Sequence, residues 1–476
     1  MKQIQGLKGM IGLEIHTYIV TKEKLFCRCL ASRERGLRQN INICPICTGQ
    51  PGAKPMLPNE EAVKQAIRIG LMLECKINSD LKWQRKHYDW PDLPKGYQNT
   101  ISGGATGVGV NGKFFGIRIR SMHLEEDPAS WEPETGCVDY NRSGLPLVEI
   151  ITEPDFETAE EVVEWLKKLL HSLAYLKSVD SNAGIKVDVN VNLENVTFSS
   201  PEILKKQQKI SGMPGRTERV EIKNLNSIEN ISRAIEYEFE RQMREGGERE
   251  TRRFDDVSGK TIRMRGKEEQ DDYRFISDPD LQDIILDSKV ILELKKDLPE
   301  SPEEKLDKVI KKFKIGKEDA GVLTKHIDIA EFFEAVVERG IEPKLALHWV
   351  TIELFRFLNY NKTSLNSNKL DLKLEHFVEL LESVKSGKIS VLQGKQILNK
   401  FYPKSFSLKN VEGRITDKKE LEKIAKEVIN GNRKAAADYK NGDKNALNFL
   451  IGEIMRKTNR RADFALARRV LEDMLK

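Results

Sequence analysis

Short runs of alternating apolar and polar residues fill the first three hundred positions, and after Leu298-Pro299 the alternation stops. A strand sends successive side chains to opposite faces, whereas a helix returns to one face every three or four residues, so the period of the pattern restricts what each segment can become. Beyond the switch the chain is written in Lys, Glu, Leu and Ile at helical spacing, glycine thins out, and no proline follows Pro403. The sequence therefore predicts an α+β fold. A mixed or antiparallel-sheet cradle domain with a zinc ribbon is expected over 1–297, followed by all-helical middle and tail domains over 298–410 and 411–476. A length of 476 residues leaves room for three cores, at roughly 150 residues each.

Period-two apolarity predicts strands over Ile11–Tyr18, Phe115–Arg120, Met122–Glu126, Lys186–Leu193 and Val220–Lys223. Two helices interrupt them. The first begins at Thr158, whose spacing to Glu161 fits a capping box, and aligns Val162, Leu166, Leu169, Leu170 and Leu173 on one side. The second runs from Ser227 to Glu245, aligns Ile228, Ile231, Ile235, Phe239 and Met243, and stops at Gly246-Gly247.

All six cysteines fall within the first 137 residues. The N-terminal MKQIQGLKGM carries no apolar stretch of signal-peptide length, and the apolar runs elsewhere are short, so a soluble cytoplasmic protein with no membrane partner is expected. In that compartment clustered thiols favour metal over disulfides. Cys27-Arg-Cys29 and Cys44-Pro-Ile-Cys47 are two chelating pairs separated by fourteen residues. Four thiolates close a tetrahedral zinc shell with no open position, which makes that metal structural rather than catalytic. Cys75 and Cys137 lie outside the pattern, and burial is the expected fate of both.

Net charge is +5, and its location is more telling than its size. Residues 411–476 hold sixteen Lys or Arg against eleven Asp or Glu, so the tail alone accounts for the excess. A basic helical tail on a near-neutral body suits a polyanion, although a solvated helix surface has the same composition.

Four strand faces carry chemistry. Glu14 and His16 alternate with Ile11, Leu13 and Ile15, and His123, Glu125 and Asp127 alternate with Met122, Leu124 and Glu126. Lys186, Asp188, Asn190 and Asn192 oppose Val187, Val189, Val191 and Leu193, and Arg219, Glu221 and Lys223 form a fourth row. One such row is ordinary for a half-exposed strand. Several in one domain offer the carboxylates, imidazole, amides and cations that a magnesium–phosphate site uses for charge neutralisation and orientation.

Gly107-Val-Gly-Val-Asn-Gly-Lys113 matches the start of a P-loop, but Phe114 stands where Ser or Thr should bind magnesium, and the residues that follow alternate as a strand instead of opening a helix. Asn111-Gly112 is read as a type I′ hairpin turn.

The segment NRSGLPLVEIITEPD, Asn141 to Asp155, resembles the signature of the B subunits of the aspartyl/glutamyl-tRNA amidotransferases. The other motifs follow in that family's order: GLEIH at Gly12, LFCRC with CPICTGQPG between Leu25 and Gly52, HLEED at His123, VEIKNLNS at Val220, ETRRFD at Glu250 and RGKEEQDDYRF at Arg265. The tail GDKNALNFLIGEIMRKTNRRAD resembles the family's tRNA-binding end, so the likeness covers nearly the whole chain. It departs at Asn192, where a serine is usual, and at Phe275–Asp280. The related E subunits carry a large insertion for which this length has no room.

The resemblance implies an ATP-dependent ligase subunit. With ATP and magnesium it would phosphorylate the side chain of Asp or Glu misacylated onto tRNA(Asn) or tRNA(Gln), and ammonia would displace the phosphate. Ammonia would come from an amidase, the A subunit, and the pair would be braced by a small C subunit. The chain has no G-x-S-x-G elbow for hydrolysing glutamine itself. Glu14, His16 and Glu125 are the implied catalytic and magnesium-binding residues. Asp127, Asp188, Asn190, Glu221, Lys223 and Asn224 are placed around the nucleotide. The alternative is a noncatalytic, zinc-containing tRNA-binding scaffold subunit.

Overall fold

Strand β1, Lys8–Tyr18, lies inside the sheet rather than at an edge, because its buried row Ile11, Leu13 and Ile15 requires cover that a lone hairpin cannot supply. The computed structural model describes residues 8–33, 36–102, 107–179, 184–194, 215–266, 274–367, 369–409, 413, 415, 417–458 and 460–475. The motif at Arg265 thus lies partly outside the described residues. The chain divides into two compact units, 1–301 and 302–476.

The first unit is built on one mixed sheet of twelve strands. After β1 come β2 (Lys76–Ile77), β3 (Gln84–His87), β4 (Gln98–Thr100), β5 (Gly109–Phe114), β6 (Ile117–Glu126) and β7 (Pro146–Thr152). The remainder are β8 (Lys186–Glu194), β9 (Val220–Leu225), β10 (Glu250–Asp255), β11 (Lys260–Gly266) and β12 (Arg274–Ser277). The spatial order is β11-β10-β9-β8-β1-β7-β6-β4-β3-β12, with β5 also on β6 and β2 on β5. Every neighbouring pair is antiparallel except β9 and β10, which run parallel.

One face of this sheet is apolar. Ile11, Leu13, Ile15, Val148, Ile150, Val187, Val189 and Val191 point into a core closed by helices α2 (Ala159–Tyr175) and α3 (Ile228–Glu245), while α1 (Glu60–Met72) packs in the same cluster. The caps follow the sequence. The Thr158 hydroxyl accepts from the Glu161 N–H at 3.2 Å, and the Glu161 carboxylate accepts from the Glu157 N–H at 2.8 Å, one residue before the cap. Ser227 caps α3, and Gly246 ends it at φ 77°.

Three details differ from the sequence reading. Phe115–Arg120 and Met122–Glu126 are not two strands: β6 is continuous, and the hairpin turns at Phe115-Gly116, with φ 44° and 86° and Phe114 paired to Ile117. Asn111-Gly112 lies inside β5, because Gly112 is needed for close approach: a Cβ there would fall 2.5 Å from both the Cys75 sulfur and the Leu73 carbonyl oxygen. The turn moves four residues on, to the pair that takes positive φ at both central positions. The seven-residue P-loop match is thus part of an antiparallel ladder. Cys75 is buried as expected, but Cys137 is exposed, in the loop between the two-residue strands Ser130–Trp131 and Val138–Asp139, where no core packs over it.

The second unit is helical. One core spans Val309 to Leu408 around Trp349, Phe357, Phe377 and Phe401; another spans Ile415 to Leu475 around Leu450, Ile454, Val470 and Leu471. Among the described residues no helix is long and apolar enough to cross a membrane.

Candidate active site

The other face of the sheet is polar, and strand register decides which side chains share it, since residues directly opposite one another project to the same side. Glu14 lies opposite Asp188, and His16 lies opposite Glu149 of β7 and Lys186 of β8. Glu149 lies opposite His123, and the next pair along is Leu147 with Glu125. Asn190 lies opposite Glu221. The four rows read from the sequence therefore belong to one surface, joined by a residue that the alternation did not reveal, Glu149.

Around β1, β8 and β9 the carboxylates crowd. Oxygens of Glu14, Asp188 and Glu221 lie within 4.8 Å of one another, a spacing that a single cation can bridge. Asn190 donates to Glu14 at 3.1 Å, and Lys223 reaches Glu221 at 2.9 Å and Asp188 at 3.4 Å. The Asn224 backbone N–H donates to Asp188 at 2.8 Å from a φ of 64°, beside an irregularity in the β8–β9 ladder. Thr251 donates to Glu221 at 3.0 Å. Burial and the charges of Glu149, Glu221 and Asp188 push the Glu14 carboxyl above its usual range, against the Asn190 hydrogen bond.

Around β1, β7 and β6 the site becomes an imidazole–carboxylate chain. The His16 Nε2 is 3.4 Å from Glu149, while its Nδ1 is buried without a hydrogen-bond partner. Burial disfavours the imidazolium, but the hydrogen bond and charge of Glu149, with Glu125 and Asp188, outweigh it and raise His16. Glu149 is buried too, yet the His16 hydrogen bond and the charges of Lys86, His16 and His123 hold it below the carboxylate range. Glu125 accepts from Gln98 and from Thr100, both at 2.9 Å, with the Lys86 ammonium 3.7 Å away. His123 is bonded to Ser121 at 2.8 Å and to the Ile101 carbonyl at 3.0 Å.

Asp127 is placed differently. Arg142 grips it with two bonds of 2.8 and 2.7 Å, and the Tyr18 hydroxyl donates at 3.0 Å, so its oxygens are engaged at the end of the strands. Glu125 lies one strand beyond Glu149, about 10 Å from β1 at the usual strand spacing. The structure thus brings Glu14 together with Asp188, Asn190, Glu221, Lys223 and Asn224, and pairs His16 with Glu149, while Glu125 sits one strand beyond, held by Gln98 and Thr100.

The cysteines meet as the spacing demands. Cys27, Cys29, Cys44 and Cys47 hold their sulfurs within 4.8 Å of one another, and the Cys44 and Cys47 sulfurs are 3.9 Å apart. Tetrahedral zinc with Zn–S near 2.3 Å needs sulfurs about 3.8 Å apart. Lys24 was not singled out by sequence. It is buried, 1% exposed, and its ammonium donates to the Asn42 carbonyl at 2.8 Å, the Tyr140 carbonyl at 3.2 Å and the Cys47 sulfur at 3.6 Å. The hydrogen bond from Cys27, then this charge, draw the Cys47 thiol down to about 5 against its burial. A four-thiolate zinc shell carries two net negative charges, and a buried lysine offsets one. Ser143 donates to the Cys47 carbonyl at 2.7 Å and ties this knuckle to the turn before β7.

A large mixed sheet that gathers carboxylates, imidazole and lysines on one face, with a four-thiol knuckle in the same unit, defines a sheet domain able to hold metal ions. Residues 9–292 match the family model described as the GatB/GatE catalytic domain, and residues 331–475 match the one described as the GatB domain. The chain belongs to this family. It is 42% identical to the B subunit of the aspartyl/glutamyl-tRNA(Asn/Gln) amidotransferase of Methanocaldococcus jannaschii, over 98% of each chain. It is 40% identical to the protein of that name from Methanococcus maripaludis strain C5 and 38% identical to that from Methanopyrus kandleri, again over 98% of each chain.

Proposed function

We propose that this chain is the B subunit of a tRNA-dependent amidotransferase, an ATP-dependent carbon–nitrogen ligase that converts Asp-tRNA(Asn) or Glu-tRNA(Gln) to Asn-tRNA(Asn) or Gln-tRNA(Gln). The observation that carries this reading is the convergence of Glu14, His16, Glu149, Asp188 and Glu221 on one sheet face. A carboxylate oxygen is a poor leaving group, and phosphorylation by ATP replaces it with a good one that ammonia then displaces.

The polar face binds the reactants and orients them. Glu14, His16 and Glu125 are the residues to hold magnesium; the unpartnered His16 Nδ1 and the unneutralised Glu14 suit a cation. Magnesium, when bound, supplies Lewis acidity and charge neutralisation at the phosphates. Lys223 and Asn224, on the neighbouring strand, are the phosphate contacts, with the Lys223 ammonium positioned by Glu221 and Asp188, the Asn224 backbone anchored through its N–H to Asp188, and Asn190 orienting Glu14. Arg142 and Tyr18 hold Asp127 at the rim of this face. Zinc at the four thiols is structural.

Three working parts follow: the catalytic cradle over 1–297, a helical domain over 298–410 and a tRNA-docking tail over 411–476. The partners are misacylated tRNA, an amidase (the A subunit) that releases ammonia from glutamine, and a small C subunit, all in the cytoplasm. The deciding experiment mixes the chain with its amidase partner, ATP, glutamine and misacylated tRNA. Formation of amidated aminoacyl-tRNA is expected; tRNA binding with neither product nor ATP consumption would leave only a scaffold.

A further inference from the structure

We propose that Arg253 binds a phosphate of ATP, its guanidinium forming the anion-holding end of the polar sheet face; this rests on the amidotransferase reading above. Strand β10 carries the ETRRFD motif, whose charged residues divide between the two faces of the sheet. Glu250 and Arg252 turn toward α3. There Arg252 bonds Glu250 at 2.9 Å and the Thr261 hydroxyl at 2.8 Å, and Arg241 of α3 bonds Glu250 at 2.9 Å, so these charges close among themselves. Thr251 and Arg253 turn the other way. Thr251 lies opposite Glu221 and donates to it, and Arg253 lies opposite Lys223, so both project onto the polar face.

The register sets Arg253 at the end of a row that crosses four strands. Glu14 lies opposite Asp188, Lys223 and the Asn224 N–H reach Asp188 across the irregular β8–β9 ladder, and Lys223 lies opposite Arg253. The row reads carboxylate, carboxylate, ammonium, guanidinium. At its acidic end Glu14 and Asp188, with Glu221, are spaced to share a cation. Next to them the Lys223 ammonium is committed to Glu221 and Asp188. Arg253 differs: it is exposed, and among the described residues its side chain makes no hydrogen bond or ion pair. Its charge helps to lower Asp255, but that carboxylate is engaged by the Ser258 N–H at 3.2 Å. Like charges directly opposite on neighbouring strands repel, and an anion bound beside them removes that cost. A guanidinium presents a planar fork that takes two phosphate oxygens at once, a contact that the Lys223 ammonium cannot make. Arg253 stands one strand from Glu221, about 5 Å at the usual spacing, so a phosphate held there lies beside the carboxylates that bind its cation.

The test uses the assembled complex carrying Arg253→Ala or Arg253→Lys. Three quantities are read: the affinity for a non-hydrolysable ATP analogue with magnesium by equilibrium dialysis, the KM for misacylated tRNA, and the unfolding temperature. Arg253→Ala is expected to weaken binding of the analogue by about 10- to 100-fold, the loss of one charge-assisted contact, with the KM for tRNA and the unfolding temperature unchanged. Arg253→Lys is expected to recover part of the affinity, because it keeps the charge but not the fork. An analogue bound by Arg253→Ala as tightly as by the unaltered complex would overturn the assignment. So would a raised KM for tRNA with unaltered affinity for the analogue, which would give the guanidinium to a phosphate of the tRNA. A lowered unfolding temperature in both variants would make Arg253 a structural residue and overturn it too. An unaltered complex with no tRNA-dependent ATP hydrolysis would remove the amidotransferase reading itself, and the assignment with it.

Discussion

His16 pairs with Glu149, and Glu125 lies one strand beyond on the same sheet face, so each is expected to be needed for turnover. His16→Ala or Glu125→Ala in the assembled complex should reduce amidation and tRNA-dependent ATP hydrolysis by about 100-fold or more, measured as product and as released phosphate. Normal amidation in either variant would place the chemistry elsewhere. Asp278 illustrates a residue that acts on stability. It is buried, and Arg85 at 3.0 Å, the Asp280 N–H at 2.8 Å and Asn99 at 2.5 Å hold its carboxyl below the usual range in spite of burial. A depressed folded-state pKa stabilises above the unfolded value, near 3.9 for aspartate, and that contribution fades as pH falls through the folded value. Asp278→Asn should therefore cost about 1–3 kcal/mol at neutral pH, and the gap should close below about pH 4. Denaturant melts at several pH values measure it, and a gap independent of pH would contradict it.

At the scale of elements, the regular parts were legible where a period dominates. Val187, Val189 and Val191 alternate with Asp188 and Asn190, and β8 forms with those valines wholly buried. The capping residues Thr158 and Ser227 begin their helices. Strand β7 was hidden because Leu147, Val148, Ile150 and Ile151 form an apolar run without alternation, interrupted only by Glu149, as happens when both faces are covered. Its signal was Glu149 itself, a lone carboxylate within such a run, which has no business in a core unless partnered. The neighbours of each strand were also beyond reach, since pairing of β1 with β7 and β8 depends on contacts far apart in the chain. At Gly9, a methyl would meet the Glu157 carbonyl and the Phe239 ring, which fixes how closely β1 passes the loop before α2 and the body of α3. Gly9→Ala should destabilise by about 1–3 kcal/mol, as overpacking does; an unchanged unfolding midpoint would show that the loop yields.

At the scale of the molecule, the separate core around Leu450 and Leu471 and the charge excess of the tail belong together. Deleting the residues after Lys409 should weaken tRNA binding and flatten its dependence on salt, because each lost phosphate contact no longer releases counterions. Filter binding across a salt series measures this, and an unaltered slope would remove the tail from the interface. Stripping the four-thiol knuckle with a chelator should lower the unfolding temperature of the first unit while leaving the second, which has its own cores, melting as before. Scanning calorimetry separates the two.

The interior position of β1 governs the order in which the molecule can be made. A nascent chain releases Glu14 and His16 first, yet their partners Glu149, Asp188 and Glu221 are added more than a hundred residues later. Pairing over such separations is slow, so the opening strand must wait, unpaired, during synthesis. A ribosome stalled before Lys186 would therefore carry Glu14, His16, Glu125 and Glu149 but neither Asp188 nor Glu221, half a reaction centre with β1 still lacking one neighbour.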